Sequence, residues 1–197
     1  GKAHHATVRI GNVPVFYWPY LSFPLDDRRK RGFLYPSFGL SKRNGFDFRL
    51  PYYLNLAPNF DATLTPRYMS KHGLMLGGEF RYLTTRSAGI CDATYLPSDS
   101  LRGFDRGAVF AKDLTTFSPQ WYAKVNLNHV SDTHYFEDFS NQPYGSAIGL
   151  LSSDAGVYGH GRYWSAGAFA QIWQVTDTFL PEALAPYRRV PVVSFRW

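Results

Sequence analysis

The sequence has a single cysteine, Cys91, so no disulfide can form within it. A covalent framework of the kind that staples small secreted domains is excluded, and Cys91 could pair only outside this chain. Charge is scarce as well. Asp, Glu, Lys and Arg make up 18% of the 197 residues, against roughly a quarter in soluble domains. Long apolar runs are missing: no stretch approaches the roughly 18 uninterrupted apolar residues of a membrane helix. Nor is there a convincing amphipathic helix. The best window, 180–187, carries Pro181 and Pro186, which leave it one turn at most. There is no glycine-rich phosphate loop, and the six histidines show no metal-ligand spacing beyond the trivial His4-His5 pair. The N-terminus lacks the apolar centre of a signal peptide, and Phe195-Arg196-Trp197 breaks off in what reads as a strand. Both ends read as cut, as in a mature or internal fragment.

Aromatic residues are what the chain has in excess. They make up 18% of it, with 14 Tyr and 16 Phe, and they favour strands and membrane interfaces. Apolar residues recur with period two from Phe46 onward. Phe46, Phe48, Leu50, Tyr52 and Leu54 share one phase, and Asp47, Arg49, Pro51, Tyr53 and Asn55 the other. Phe60, Ala62, Leu64, Pro66 and Tyr68 then alternate with Asp61, Thr63, Thr65 and Arg67. Leu74, Leu76, Phe80 and Tyr82 alternate with Glu79 and Arg81, and Trp121, Ala123, Val125 and Leu127 with Tyr122, Lys124, Asn126 and Asn128. Candidate strands cover 46–54, 60–69, 74–84, 88–96, 107–117, 120–130, 147–158, 163–175 and 190–197. Most run about nine to eleven residues, the length a tilted strand needs to cross a bilayer. The strands of a soluble sandwich average nearer five or six. The expected class is all-β, with a transmembrane barrel favoured over a sandwich. Strand count leaves open whether the strands close a small barrel or form one sector of a larger one.

Residues 1–25 differ in kind. Pro14, Pro19 and Pro24 recur every five residues, which suits short, kinked edge strands. The run Asp26, Asp27, Arg28, Arg29, Lys30, Arg31 and Gly32 follows and reads as a junction.

The string VPVFYWPYLSFPLDDRRKRGFLYP at 13–36 resembles the LptD family of lipopolysaccharide-assembly proteins. So do LPYYLNLAPNFDATLTPRYM at 50–69, GEFRYL at 78–83, YLPSD at 95–99, and VSD with YFEDF at 130–139. The resemblance implies the end of a periplasmic β-jellyroll (1–25), a hinge (26–42), and antiparallel strands of a large transmembrane β-barrel (43–197). It implies transport of lipopolysaccharide and its insertion into the outer leaflet of a Gram-negative outer membrane. The path would use a jellyroll groove, the barrel lumen and a lateral gate. The partners it implies are lipopolysaccharide, outer-membrane lipid, the lipoprotein plug LptE and the periplasmic bridge protein LptA. No cofactor and no metal are expected. A self-contained small barrel, acting as a porin or adhesin, stands as the alternative.

Candidate roles follow. Pro51 and Pro66 match the family's strand prolines that keep a lateral gate loose, and each removes a ladder hydrogen bond worth roughly 0.5–1.5 kcal/mol. Asp47, Arg49, Asp61, Arg67, Glu79 and Arg81 occupy the polar phase of the first three strands and could line a hydrated lumen, or simply pair with one another. The hinge residues Asp26, Asp27, Arg28, Arg29, Arg31 and Gly32, with Lys30, could set the angle to the jellyroll, meet lipid phosphates, or form a solvated loop. Val13, Val15, Tyr17, Leu21 and Phe23 could line an acyl groove or belong to a jellyroll core. The net charge of +6 suits an acidic partner. The charge run, however, lacks a basic helix or stacking platform, which speaks against nucleic acid. His129, Ser131, Asp132 and His134 lie close in sequence without a lipase signature, so an enzyme is not expected.

Overall fold

The computed structural model describes residues 2–10, 13–22, 30–139, 149–181, 183 and 185–197. Among them the chain forms two antiparallel sheets and one short helix. The first sheet is a hairpin of β1 (Lys2–Ile10) and β2 (Val13–Ser22), with a register shift between Val8 and Arg9. Asp26, Asp27, Arg28, Arg29 and Phe23 lie outside the described residues.

The second sheet holds β3 (Gly32–Phe33), β4 (Ser37–Ser41), β5 (Gly45–Arg49), β6 (Tyr52–Ala57), β7 (Phe60–Met69), β8 (Gly73–Leu83) and β9 (Ser87–Leu96). It continues with β10 (Arg106–Ser118), β11 (Trp121–Val130), β12 (Leu150–His160), β13 (Ser165–Val175) and β14 (Arg189–Arg196). Neighbours from β7 to β14 pair in chain order as a meander, and the path ends at β4 and β14, which do not pair with each other. Strands β7 to β13 run 10 to 13 residues, enough to cross a bilayer when tilted.

The strand expected over 46–54 is broken. Leu50 and Pro51 interrupt the ladder, leaving β5 and β6 as two pieces that both pair with β7. Gly32, expected in the hinge, pairs with Tyr53 on β6, and Ser37–Ser41 pairs with β5. The helix α1 (Tyr135–Phe139) has no counterpart in the sequence reading.

The register separates two faces. Opposed residues in an antiparallel ladder point the same way, so each row across the sheet belongs to one face. The row Asp61, Arg81, Ile90, Lys112, Asn126, Asp154, Gln171 lies on one face, and the row Leu64, Gly78, Ala93, Val109, His129 on the other. The second face carries exposed Leu64, Leu74, Leu76, Phe80, Leu127, Val157 and Ile172. Such an apolar surface suits hydrocarbon rather than water. Cys91 sits on it, between Phe80 and Ala111. Two-sidedness also explains how little is buried: the core cluster is Met69, Met75, Leu96, Ala108, Val130, Tyr135, Phe139 and Leu151.

The ends of the sheet differ. At one end the connections are short, at 58–59, 84–86, 119–120 and 161–164. Trp121 and Trp164 contact there with centroids 5.6 Å apart, near exposed Phe117 and Tyr163. At the other end lie the turns at 42–44 and 70–72 and the longer connections 97–105, 131–149 and 176–188. Gly45 (φ 71°) and Gly73 (φ 113°) close the two tight turns in backbone conformations that side chains resist.

Candidate functional site

The six polar-phase residues share the polar face, and the structure shows what they do there. Arg67 donates to both oxygens of Asp47, at 2.6 Å from Nη2 and 3.0 Å from Nε, and Arg49 reaches the same carboxylate at 3.4 Å. Arg81 grips Asp61 with two hydrogen bonds of 2.7 and 2.9 Å and lies 3.4 Å from Glu79. Tyr53 also donates to Asp61, at 3.1 Å. These charges neutralise one another across strands whose register brings them side by side.

A tighter cluster sits at the long-loop end. Arg106, at the start of β10, is fully buried, and three carboxylates surround it. It donates to Asp99 at 2.8 Å, to Asp138 at 2.7 Å, and through Nε and Nη2 to both oxygens of Asp132 at 2.8 Å. Its guanidinium lies 4.4 Å from the centroid of the Phe139 ring. Asp99 also accepts from the Leu101 N–H and contacts His72 Nδ1 at 2.9 Å, and Arg102 adds a contact to Asp138 at 3.1 Å. Asn44 completes the set with its amide turned to satisfy both neighbours, donating to the Asp138 carbonyl at 2.9 Å and accepting from Arg67 at 3.0 Å. Arg67 donates in turn to the Phe139 carbonyl at 3.3 Å. Four separate connections are thereby joined by charge-assisted bonds.

The electrostatics follow from those contacts. Burial alone would raise the Asp99 carboxyl. The hydrogen bonds from Arg106, the Leu101 N–H and His72 outweigh it and hold Asp99 below the ordinary carboxylate range. Asp132 is held low in the same way, burial opposing it and Arg106 and Ser131 prevailing. Burial pushes the Tyr135 phenol up, despite its hydrogen bond with Thr94 on the polar face. Helix α1 is thus pinned over one end of that face by ion pairs and by Tyr135, Phe136 and Phe139, with Phe136 against Phe110.

The two prolines act on neighbouring ladders. Pro66, inside β7, accepts from the Leu50 N–H at 3.1 Å, and Pro51 accepts from the Leu34 N–H at 2.8 Å. In an extended chain a residue's N and C=O lie on the same side. Pro66 therefore removes a donor facing β5 and β6, and Pro51 removes one facing β3 and β4. Both losses fall at the same height, beside the break between β5 and β6.

Two family profiles match this chain. One, described as LptD protein, covers residues 3–142, and the other, described as LPS transport system D, covers 104–197. The chain belongs to the LptD family. It is 50% identical over its whole length to the LPS-assembly protein LptD of Xanthomonas oryzae pv. oryzae (strain MAFF 311018), covering 24% of that protein. Identity to the LPS-assembly protein LptD of Xylella fastidiosa (strain 9a5c) is 47%, again over the whole chain and covering 25% of the relative. The chain spans about a quarter of the length of the curated relatives it matches.

YLPSD, VSD and YFEDF, three of the strings that carry the LptD resemblance, supply Asp99, Asp132 and Asp138 to the Arg106 cluster. Arg106 itself and His72 escaped the sequence reading. The signal available was an aspartate in each of three loop strings, with an arginine opening the strand between them. Among the hinge residues, Arg31 donates to the Asn55 carbonyl at 3.0 Å. Ser131 donates to Asp132 while His134 faces Glu137 at 3.0 Å, so Ser131 and His134 are held by different carboxylates. Tyr17, a candidate for an acyl groove, is exposed and bonds to His5.

Proposed function

We propose that the protein to which this chain belongs transports lipopolysaccharide and inserts it into the outer leaflet of the outer membrane, by binding and conduction rather than catalysis. The observation that carries this reading is the two-faced sheet. A hydrogen-bonded polar wall backs onto an exposed apolar surface, with two neighbouring ladders thinned at Pro51 and Pro66. The apolar face meets lipid, the polar face lines a hydrated lumen, and the short turns point to the periplasm as they do in bacterial barrels. The thinned ladders form a lateral gate through which the acyl part of the lipid leaves while its sugars remain in water. The hairpin β1–β2 belongs to the end of a periplasmic jellyroll, and residues 26–31 join it to the barrel. By family likeness, the lipoprotein plug LptE and the bridge protein LptA are its partners.

The self-contained small barrel is the weaker reading. It needs β4 and β14 to close on each other, whereas both are sheet ends here. Lipid does not tolerate such open edges, which supports a sector of a larger barrel.

The test replaces both prolines, Pro51→Ala and Pro66→Ala, in the full-length parent, and measures newly exported lipopolysaccharide at the cell surface. A several-fold slower appearance at equal protein level is expected. Export at the wild-type rate would contradict the gate.

A further inference from the structure

The polar face is saturated with internal ion pairs over its first strands, but not throughout. Arg49, Arg67 and Arg81 are each committed to Asp47 or Asp61, and Arg106 to three aspartates. Lys112 on β10 and Lys124 on β11 are different. Both are exposed, and neither makes an ion pair or hydrogen bond with any described residue. Lys112 stands opposite Asn126, and Lys124 opposite Leu114, so the two lysines are diagonal neighbours across one ladder. Diagonal positions lie roughly 7–8 Å apart, close enough for both ammonium groups to reach one bulky anion. The nearest carboxylate along the Lys112 row is Asp154, which already accepts from Asn126 at 3.0 Å. Asp92 lies diagonal to Lys112 without forming an ion pair.

A second observation concerns what surrounds the lysines. Beside them on this face, Ile90 and Leu114 are 37% and 49% exposed. Ile90 is directly opposite Lys112, and Leu114 directly opposite Lys124. The same residues line one open groove with Arg81 and Asn126, of about 700 Å³. The groove thus sets apolar surface from Ile90 and Leu114 beside two unneutralised lysines. An occupant that is anionic and also has apolar surface satisfies both.

We propose that Lys112 and Lys124 form an anion-binding station on the polar face. It takes a phosphate or carboxylate group on the saccharide of a glycolipid, while Ile90 and Leu114 pack under the C–H surface of the same sugar. The station rests on the transport reading above and adds to it the residues that hold the cargo's charge. The paired residues nearer the gate shape the wall; the unpaired lysines contact the ligand.

The experiment uses the full-length parent in its native complex, supplied with purified lipopolysaccharide. A photoreactive amino acid replaces Leu114 in one version and Thr63, on the polar face of β7, in another. Ultraviolet crosslinking to lipopolysaccharide is compared with and without Lys112→Gln and Lys124→Gln. The station requires the crosslink at 114 to fall about tenfold in the double variant while that at 63 stays within twofold. An unchanged crosslink at 114, or an equal loss at both positions, overturns the station and leaves conduction along the wall standing. Absence of a crosslink at both positions with the lysines intact overturns the transport reading itself. Repeating the measurement with dephosphorylated lipopolysaccharide identifies the anion: loss at 114 assigns it to phosphate, and retention to the sugar carboxylates.

Discussion

Two regions only a residue apart in sequence have been built to opposite specifications. Around Pro66 the ladder lacks donors, and β5 and β6 part company at Leu50 and Pro51. At Arg67 the cluster begins that runs through Asp47, Asn44 and Phe139 to the buried Arg106. Looseness at the proline break is therefore local. Each missing hydrogen bond forfeits about 1 kcal/mol, whereas removing the centre of a buried ion cluster costs about 3–5 kcal/mol. The sheet can therefore loosen at the proline break without losing the loops that cap the end of its polar face.

The largest effect should come from breaking the tight region. Arg106→Met leaves Asp99, Asp132 and Asp138 buried without their common partner. It should destabilise the parent by about 3–5 kcal/mol, read as a lower denaturant midpoint in detergent. Arg106→Lys should recover only part of this, because an ammonium cannot reproduce the two-pronged contact to Asp132. A neutral result for Arg106→Met would remove the contrast between the two regions.

Acid should act on the same region and spare the seam. Asp99 and Asp132 have folded-state pKa values below the unfolded value of about 4. A depressed carboxyl stabilises the fold above its unfolded pKa, and that contribution is lost as pH falls through the folded value. Stability of the loop end should thus be level above about pH 5 and decline below pH 4. Hydrogen exchange of 97–105 and 131–139 measures this directly, and exchange at Leu50 and Tyr52 should change less.

The seam comes next in magnitude. Pro66→Ala restores a donor facing β5 and β6, and should stabilise that ladder by about 1 kcal/mol. Pro51→Ala acts on the ladder toward β3 and β4 instead. Slower amide exchange at Leu50 in the first variant and at Leu34 in the second would separate the two. The smallest expected effect is Tyr82→Phe, which removes the hydrogen bond to Asp113 (2.5 Å) on the apolar face. About 1 kcal/mol or less should be lost, with no change in loop-end exchange.

Much of this was legible in the sequence, for reasons that particular residues make plain. Period-two alternation located most of the long strands and put Asp47, Arg49, Asp61, Arg67, Glu79, Arg81 and Lys124 on one face, because side chains alternate strictly along a pleated chain. The break at Pro51 was hidden for the same reason. Leu50 and Pro51 stay extended, so Arg49 before the break and Tyr53 after it keep the same phase. The Arg106 cluster was invisible as a cluster because its members come from residues 72, 99, 106, 132 and 138, joined only when hairpin ends meet. Helix α1 is five residues long and has too few turns for a periodic signal. Its position depends on Tyr135 and Asp138 finding partners on distant strands, and Phe139 on the turn at 70–72.

If one face meets water and the other lipid, spin labels on the two faces will differ in what reaches them. Nitroxides would be attached singly at Thr63, Thr65, Leu64 and Leu76 of the full-length parent in bilayers, with native cysteines blocked. Collision with a water-soluble nickel chelate should dominate at Thr63 and Thr65, and collision with oxygen dissolved in lipid at Leu64 and Leu76. The same preference at all four positions would contradict a two-faced membrane wall, and with it the transport reading built on that wall.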